Sequence, residues 1–172
     1  MERRRMDDGL TQEAWGQWVR KHAPRLLLFA RQLSRSEADA QDLVQDSLLA
    51  AWKRCADGQV PPLSAVFTTI RCRAIDWGRR SDRRTAREES VQESQSQVWF
   101  DTHVEDREMS QWVQSALMKL PDYYREVLTL RVWGELTFEQ IAEVTGAPPN
   151  TVASRYRYGL AELRKLAREV RV

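Results

Sequence analysis

The chain has 172 residues, of which 42% are hydrophobic and 30% are charged, and its formal net charge is +2. This balance is typical of a globular protein and excludes a fully disordered chain or an integral membrane protein. No run approaches the roughly 18 apolar residues of a transmembrane helix, and residues 1–10 lack the apolar core of a signal peptide, so we expect a cytoplasmic protein without a membrane partner.

The charge is unevenly distributed along the chain. Residues 1–80 carry 14 basic and 10 acidic side chains, residues 81–110 carry 4 and 8, and residues 111–172 carry 9 and 7. Two basic ends therefore flank an acidic middle, which bears on the choice of partners. Cys55 and Cys72 have no CxxC spacing or nearby His cluster, so we expect free thiols, no metal site and no cofactor.

Apolar residues recur at spacings of three and four without strand-like alternation, which predicts an all-α fold. The first domain, residues 1–80, is predicted to contain helices over about 11–33, 37–55 and 63–80. Residues 57–62 form the break before the third helix, because their two prolines are costly inside a helix.

A polar segment, residues 81–107, separates this domain from a second helical domain, residues 108–172. The segment is rich in Glu, Gln and Ser and has one short apolar cluster, Val98, Trp99 and Phe100. Its composition predicts a flexible acidic linker, although that cluster could anchor it to a surface or to the helical domains of the chain. The fold class is therefore two small helical domains joined by a linker.

The second predicted helix has a buried stripe and an acidic face. Its apolar stripe contains Leu43, Val44, Ser47, Leu48, Ala51 and Trp52, and the opposite face carries Asp39, Asp42, Gln45, Asp46 and Leu49. An acidic face with an exposed leucine suits docking to a basic helix, but a solvated face with carboxylates near the helix start is the alternative.

The third predicted helix combines apolar positions with a basic stripe that suits a phosphate backbone. The basic residues between positions 63 and 87 are Arg71, Arg73, Arg79, Arg80, Arg83, Arg84 and Arg87. Trp77 could stack on an unpaired base, but its place beside Val66, Phe67, Ile70 and Ala74 favours core packing.

Residues 137–166 predict a helix-turn-helix. Thr137 and Gln140 have the spacing of a capping box, and Gly146 followed by Pro148 and Pro149 predicts a short, sharp turn before the next helix. In that next helix one face is apolar, and the other face, with its flank, carries the candidate DNA-contacting residues Asn150, Thr151, Ser154, Arg155, Arg157 and Tyr158. A helical hairpin with a solvated polar face is the alternative.

Several segments resemble the extracytoplasmic-function sigma factors of bacterial RNA polymerase. Those that resemble sigma region four are residues 117–121 (LMKLP), 125–128 (REVL), 130–131, 136–146 and 151–155 (TVASR). Residues 39–46 (DAQDLVQD) with Trp52 resemble the polymerase-binding helix of region two, and Phe67 with residues 74–76 (AID) resembles its promoter-reading helix. Two blocks in the right order are more specific than either block alone.

The resemblance implies a promoter-specific initiation factor, not an enzyme. It assigns binding of core RNA polymerase, through its beta-prime clamp helices, to Asp39, Asp42, Gln45, Asp46 and Leu49. It assigns minus-10 promoter DNA to Asp57, Gly58, Gln59, Arg71, Arg73, Trp77, Arg79 and Arg80. It assigns minus-35 DNA to Asn150, Thr151, Ser154, Arg155, Arg157 and Tyr158, and it leaves open whether an anti-sigma protein is a further partner.

Ala153 and Tyr158 stand where many members of that family carry basic residues, so the minus-35 sequence is not predicted and the free protein should bind duplex weakly. A helix-turn-helix regulator that acts without being a polymerase subunit is an alternative, but it would not need the acidic face. An enzyme would need a supported nucleophile, and Ser34, Ser36, Ser47, His22 and His103 have no evident partners in the sequence.

Overall fold

The computed structural model describes residues 3–55, 59–85, 97–101 and 106–170, which belong to two compact units, Met1–Gln97 and Val98–Val172. These residues contain helices and no strands, which confirms the all-α prediction. The helices are α1 (Arg3–Leu33), α2 (Glu37–Arg54), α3 (Leu63–Thr85), α4 (Arg107–Lys119), α5 (Asp122–Val132), α6 (Phe138–Thr145) and α7 (Pro149–Val170).

Two helix ends differ from the sequence-based expectation. The first helix begins at Arg3 rather than near Thr11, and the third continues to Thr85, five residues past its predicted end. Both predicted ends marked the loss of apolar periodicity. Extending an existing helix needs no apolar face, because each added residue gains a hydrogen bond, and residues 81–85 contain neither Gly nor Pro.

The first unit is a three-helix packing of α1, α2 and α3. Phe29 of α1 and Phe67 of α3 are almost fully buried, and their rings meet edge to face with centroids 5.3 Å apart. Leu43 of α2 is fully buried in the same core. These contacts leave the opposite faces of α2 and α3 available to solvent.

A buried arginine ties the end of α1 to the start of α2. Arg31 is 7% exposed, and its Nε and Nη2 donate to Oε2 and Oε1 of Glu37 at 2.8 and 2.9 Å. Hydrogen bonding from Arg31 lowers the pKa of Glu37 to about 2, although partial burial opposes the shift. Ser36 caps the same end of α2, since its Oγ accepts from the Asp39 backbone N–H at 3.1 Å.

The second unit packs α5 and α6 against α7. Its core includes Val127 and Leu128 of α5, Ile141 of α6 and Val152 of α7, all at most 1% exposed. Gly159 of α7 allows a close approach of α5, because a Cβ at this position would lie 3.0 Å from Leu128 Cδ1. The second helix of the predicted helix-turn-helix, α7, therefore packs directly on α5.

No helix within the described ranges combines the length and the apolar character needed to cross a membrane.

Candidate functional site

The acidic face of α2 is open to solvent. Asp39, Asp42 and Gln45 are exposed, Asp46 is half-buried, and Leu49 exposes 56% of its surface. The buried side of the helix contains Ala40, Leu43, Val44, Ser47 and Ala51, so the five predicted polymerase-binding residues share the outward side. An apolar side chain among carboxylates offers both contact area and charge complementarity to a basic partner.

Trp52 was predicted to be buried, and this was wrong, since 37% of it is exposed. It lies at the margin of the buried stripe, where its ring meets Trp15 of α1 with centroids 5.2 Å apart. Trp15 stacks in turn on Trp18 at 5.4 Å, and Trp18 contacts His22 at 4.7 Å. Trp15, Trp18 and His22 recur at spacings of three and four, which is the sequence signal for this aromatic row.

The basic face of α3 presents several of the predicted promoter-binding side chains. Arg79 and Arg80 are exposed, whereas Arg71, Arg73 and Trp77 are half-buried. Because Trp77 is only half-buried, part of it remains accessible to a partner. Of the predicted loop residues, Gln59 is exposed, and Asp57 and Gly58 lie outside the described residues.

The helix-turn-helix has the local geometry that its sequence predicts. Thr137 Oγ1 accepts from the Gln140 backbone N–H at 3.2 Å, and Gln140 Oε1 accepts from the Thr137 N–H at 2.9 Å, which completes a capping box. Gly146 ends α6 with φ of 72°, a left-handed conformation that disfavours side chains, and α7 begins at Pro149.

The predicted DNA-contacting residues of α7 fall into two groups. Asn150, Arg157 and Tyr158 are exposed, while Thr151, Ser154 and Arg155 are half-buried. Val152 is fully buried, and Tyr156 packs on Phe138 of α6 with ring centroids 5.5 Å apart. The helix therefore turns its apolar face inward and presents Asn, Ser and Arg side chains at its N-terminal half, as a major-groove reader requires.

Two arginines of α7 lie over tyrosine rings. The Cζ of Arg157 is 5.0 Å from the ring centroid of Tyr158, and its Nη2 is 3.4 Å from the Tyr158 hydroxyl. The Cζ of Arg155 is 5.4 Å from the ring centroid of Tyr123 on α5. The sequence alone does not identify Tyr123, because its place beside Arg155 depends on the packing of α5 against α7.

Trp99 and Phe100 of the apolar cluster make contacts within the second unit. Trp99 is 7% exposed, its backbone N–H donates to Oε1 of Gln114 at 2.9 Å, and the Cζ of Arg125 lies 5.8 Å from its ring centroid. Phe100 meets Trp133 with ring centroids 5.4 Å apart. Trp99 therefore lies beside side chains of α4 and α5.

Comparisons with known proteins identify two matching family models. The model described as "Sigma-70 region 2" matches residues 18–84, and that described as "Sigma-70, region 4" matches residues 110–163. The first range contains α2 and most of α3, and the second contains the helix-turn-helix.

Individual relatives extend the likeness over most of the chain. The RNA polymerase sigma factor SigV of Bacillus subtilis is 30% identical over 132 residues, which cover 76% of this chain and 76% of SigV. The ECF RNA polymerase sigma factor RpoE of Cereibacter sphaeroides is 25% identical over 165 residues, which cover 94% of this chain and 91% of that protein.

A solved structure has the same fold. The sigma factor RpoE of Bartonella quintana, crystallised with the anti-sigma factor NepR, superposes with a TM-score of 0.67 at 22% sequence identity. The superposition covers 91% of this chain and 98% of that one.

Proposed function

Because the chain belongs to the extracytoplasmic-function family of RNA polymerase sigma factors, we propose that α2, α3 and α7 each bind a different part of the polymerase–promoter complex. The protein is a transcription initiation factor rather than an enzyme, and this family membership favours the sigma-factor interpretation over an independent helix-turn-helix regulator. Its partners are then core RNA polymerase and promoter DNA. A cytoplasmic location follows from that of the polymerase.

The acidic face of α2 binds core polymerase. The observation that carries this proposal is the exposure of Leu49 beside Asp39, Asp42 and Gln45, with Asp46 at the edge of the face. A basic helix of the polymerase clamp would find opposite charge for orientation and a leucine for apolar contact. These side chains are not needed for the core of the first unit, which lies on the opposite side of α2.

The face of α3 with the loop before it engages the minus-10 element. Arg71, Arg73, Arg79 and Arg80 would hold the phosphate backbone, and Trp77 would meet bases of the opened strand. The loop residues Asp57, Gly58 and Gln59 complete this proposed site at the N-terminal side of α3.

The N-terminal half of α7 reads the minus-35 element as duplex. Asn150, Ser154 and Arg157 would face base edges, whereas Thr151, Arg155 and Tyr158 would lie nearer the groove edge. Arg155 is half-buried and lies beside Tyr123 of α5, which supports its place nearer the groove edge.

We propose that residues 1–80 form region two, residues 81–107 the linker and residues 108–172 region four, with the linker held against region four at Trp99. An anti-sigma protein is proposed as a further partner, because the Bartonella quintana sigma factor of the same fold was crystallised with one.

Reconstituted transcription tests the proposed function. Core polymerase without any sigma factor would be mixed with the full chain and a genomic promoter library, and we expect initiation at promoters that share two elements. The double variant D39N/D42N should weaken binding to core, whereas the control E108Q/E169Q, two exposed carboxylates of the second unit, should bind core as the unmodified chain does. Binding to duplex DNA without any binding to core would refute the proposal.

A further inference from the structure

Tyr123 forms a platform beneath an arginine of the recognition helix. It lies in the first turn of α5, exposes 46% of its surface, and has the Cζ of Arg155 5.4 Å from its ring centroid. This distance is within the range of a cation–π interaction. The two residues are 32 positions apart in the chain and meet because α5 packs on α7.

Tyr123 belongs to a helix that packs closely on α7. Gly159, one turn after Arg155, permits the close approach of Leu128 and Tyr124 of α5, with Tyr124 Cβ 3.3 Å from the position of a Cβ on Gly159. The Tyr123 ring contacts the Tyr124 ring edge to face, with centroids 4.5 Å apart. The Tyr123 ring is therefore supported from one side by a packed helix–helix contact.

An arginine held over an aromatic ring can still donate hydrogen bonds from its N–H groups. Cation–π contact uses the face of the planar group, and the N–H donors of arginine lie in its plane. By contrast, Arg125 of α5 forms an ion pair with Asp122, and only 18% of its side chain is exposed. Arg155 is thus oriented without an acidic partner in this contact, which suits it to an anionic ligand.

We propose that Tyr123 positions Arg155 to contact the phosphate backbone at the edge of the minus-35 duplex. This inference rests on the proposed DNA-reading role of α7. Phosphate rather than a base is the ligand, because Arg155 lies half-buried on the flank of α7, turned towards α5. The outward face with Asn150 and Arg157 is the part that meets base edges.

Holoenzyme binding to a promoter fragment tests the proposal. Core polymerase would be assembled with Y123L, Y123F, R155Q and Y123L/R155Q chains, and the dissociation constant for one selected promoter would be measured between low and moderate salt. We expect Y123L to weaken binding about two- to fivefold and Y123F to restore it, since phenylalanine keeps the ring. R155Q should reduce the salt slope by about one.

The double variant distinguishes a Tyr123 that acts by positioning Arg155 from a Tyr123 that acts independently of Arg155. Y123L/R155Q should bind no more weakly than R155Q, and base preference in a randomised minus-35 library should be unchanged in all variants. A merely structural role for Tyr123 would weaken the double variant further, and that result would overturn the proposal.

Two further outcomes would also overturn it. One is a Y123F variant as weak as Y123L, which would assign the effect to the hydroxyl, and the other is an R155Q variant with an unchanged salt slope. Neither outcome bears on the wider function, since transcription from the promoter library and the D39N/D42N variant test that separately.

Discussion

Arg73 of α3 lies against Asp46 of α2, with its Nη1 3.6 Å from Asp46 Oδ2. The pair joins the face proposed to bind polymerase to the face proposed to bind minus-10 DNA. Both side chains are partly exposed, at 38% for Arg73 and 48% for Asp46, so the ion pair itself adds little to stability. Its two members are therefore available to outside partners.

Replacing Asp46 or Arg73 should weaken binding to a partner without a large change in the free energy of unfolding. We expect D46N and R73Q each to change the free energy of unfolding by no more than about 1 kcal/mol, as for other exposed ion pairs. D46N should weaken binding to core polymerase, and R73Q should weaken promoter binding by the holoenzyme. Urea denaturation and the two binding assays check this, and a large loss of stability in either variant would contradict it.

Protonation of Glu37 should lower the stability of the first unit at acid pH. The pKa of Glu37 is about 2 in the folded chain, against an ordinary value of 4.5 for a glutamate side chain. The Arg31–Glu37 contact therefore contributes fully to stability above about pH 5, and this contribution is lost as pH falls towards 2. Because 42% of the Glu37 side chain is exposed, we expect E37Q to cost only about 1–2 kcal/mol at pH 7.

The measurement is the difference in unfolding free energy between the unmodified chain and E37Q from pH 7 to pH 3. This difference should shrink as pH falls below about 4.5, because Glu37 of the unfolded chain then takes up a proton that the folded chain binds only near pH 2, and the variant has no such group. A difference that stays constant over this range would show that the ion pair does not titrate as described.

Two helical glycines should respond oppositely to alanine. A Cβ on Gly78 of α3 would meet nothing within 4 Å, so G78A should stabilise the first unit by about 0.5–1 kcal/mol. A Cβ on Gly159 would lie 3.0 Å from Leu128, which is 1% exposed and cannot move easily, so G159A should cost about 1 kcal/mol. Amide hydrogen exchange resolves the two units, and a stabilising G159A would show that α5 can retreat from α7.

Local signals explain most of what could be predicted from the sequence. The capping box at Thr137 and Gln140, the turn at Gly146 and the start of α7 at Pro149 all depend on residues within a few positions of each other. The buried stripe of α2 follows from helical periodicity, except at its margin. The predicted burial of Trp52 was wrong, because its exposure depends on how far the aromatic residues of α1 cover it.

Contacts between distant residues account for the features that the sequence did not predict. The platform of Tyr123 below Arg155 and the docking of Trp99 beside Gln114 arise from tertiary packing, which local periodicity does not encode. The end of α3 at Thr85 was missed for another reason. Helix continues through polar residues when no residue interrupts it, so the loss of an apolar face is a poor marker of a helix end.

Trp99 should contribute to the stability of the second unit, although it precedes that unit's first helix. Its ring is 7% exposed and lies beside Arg125, and its backbone N–H is satisfied by Gln114. Replacing a buried tryptophan with alanine removes a large apolar area, so W99A should destabilise the unit by roughly 3 kcal/mol. The neighbouring variant V98A is a matched control, because Val98 is 68% exposed and should lose almost nothing. Hydrogen exchange in α4 and α5 measures both variants, and equal protection in W99A and V98A would show that the contact does not stabilise the unit.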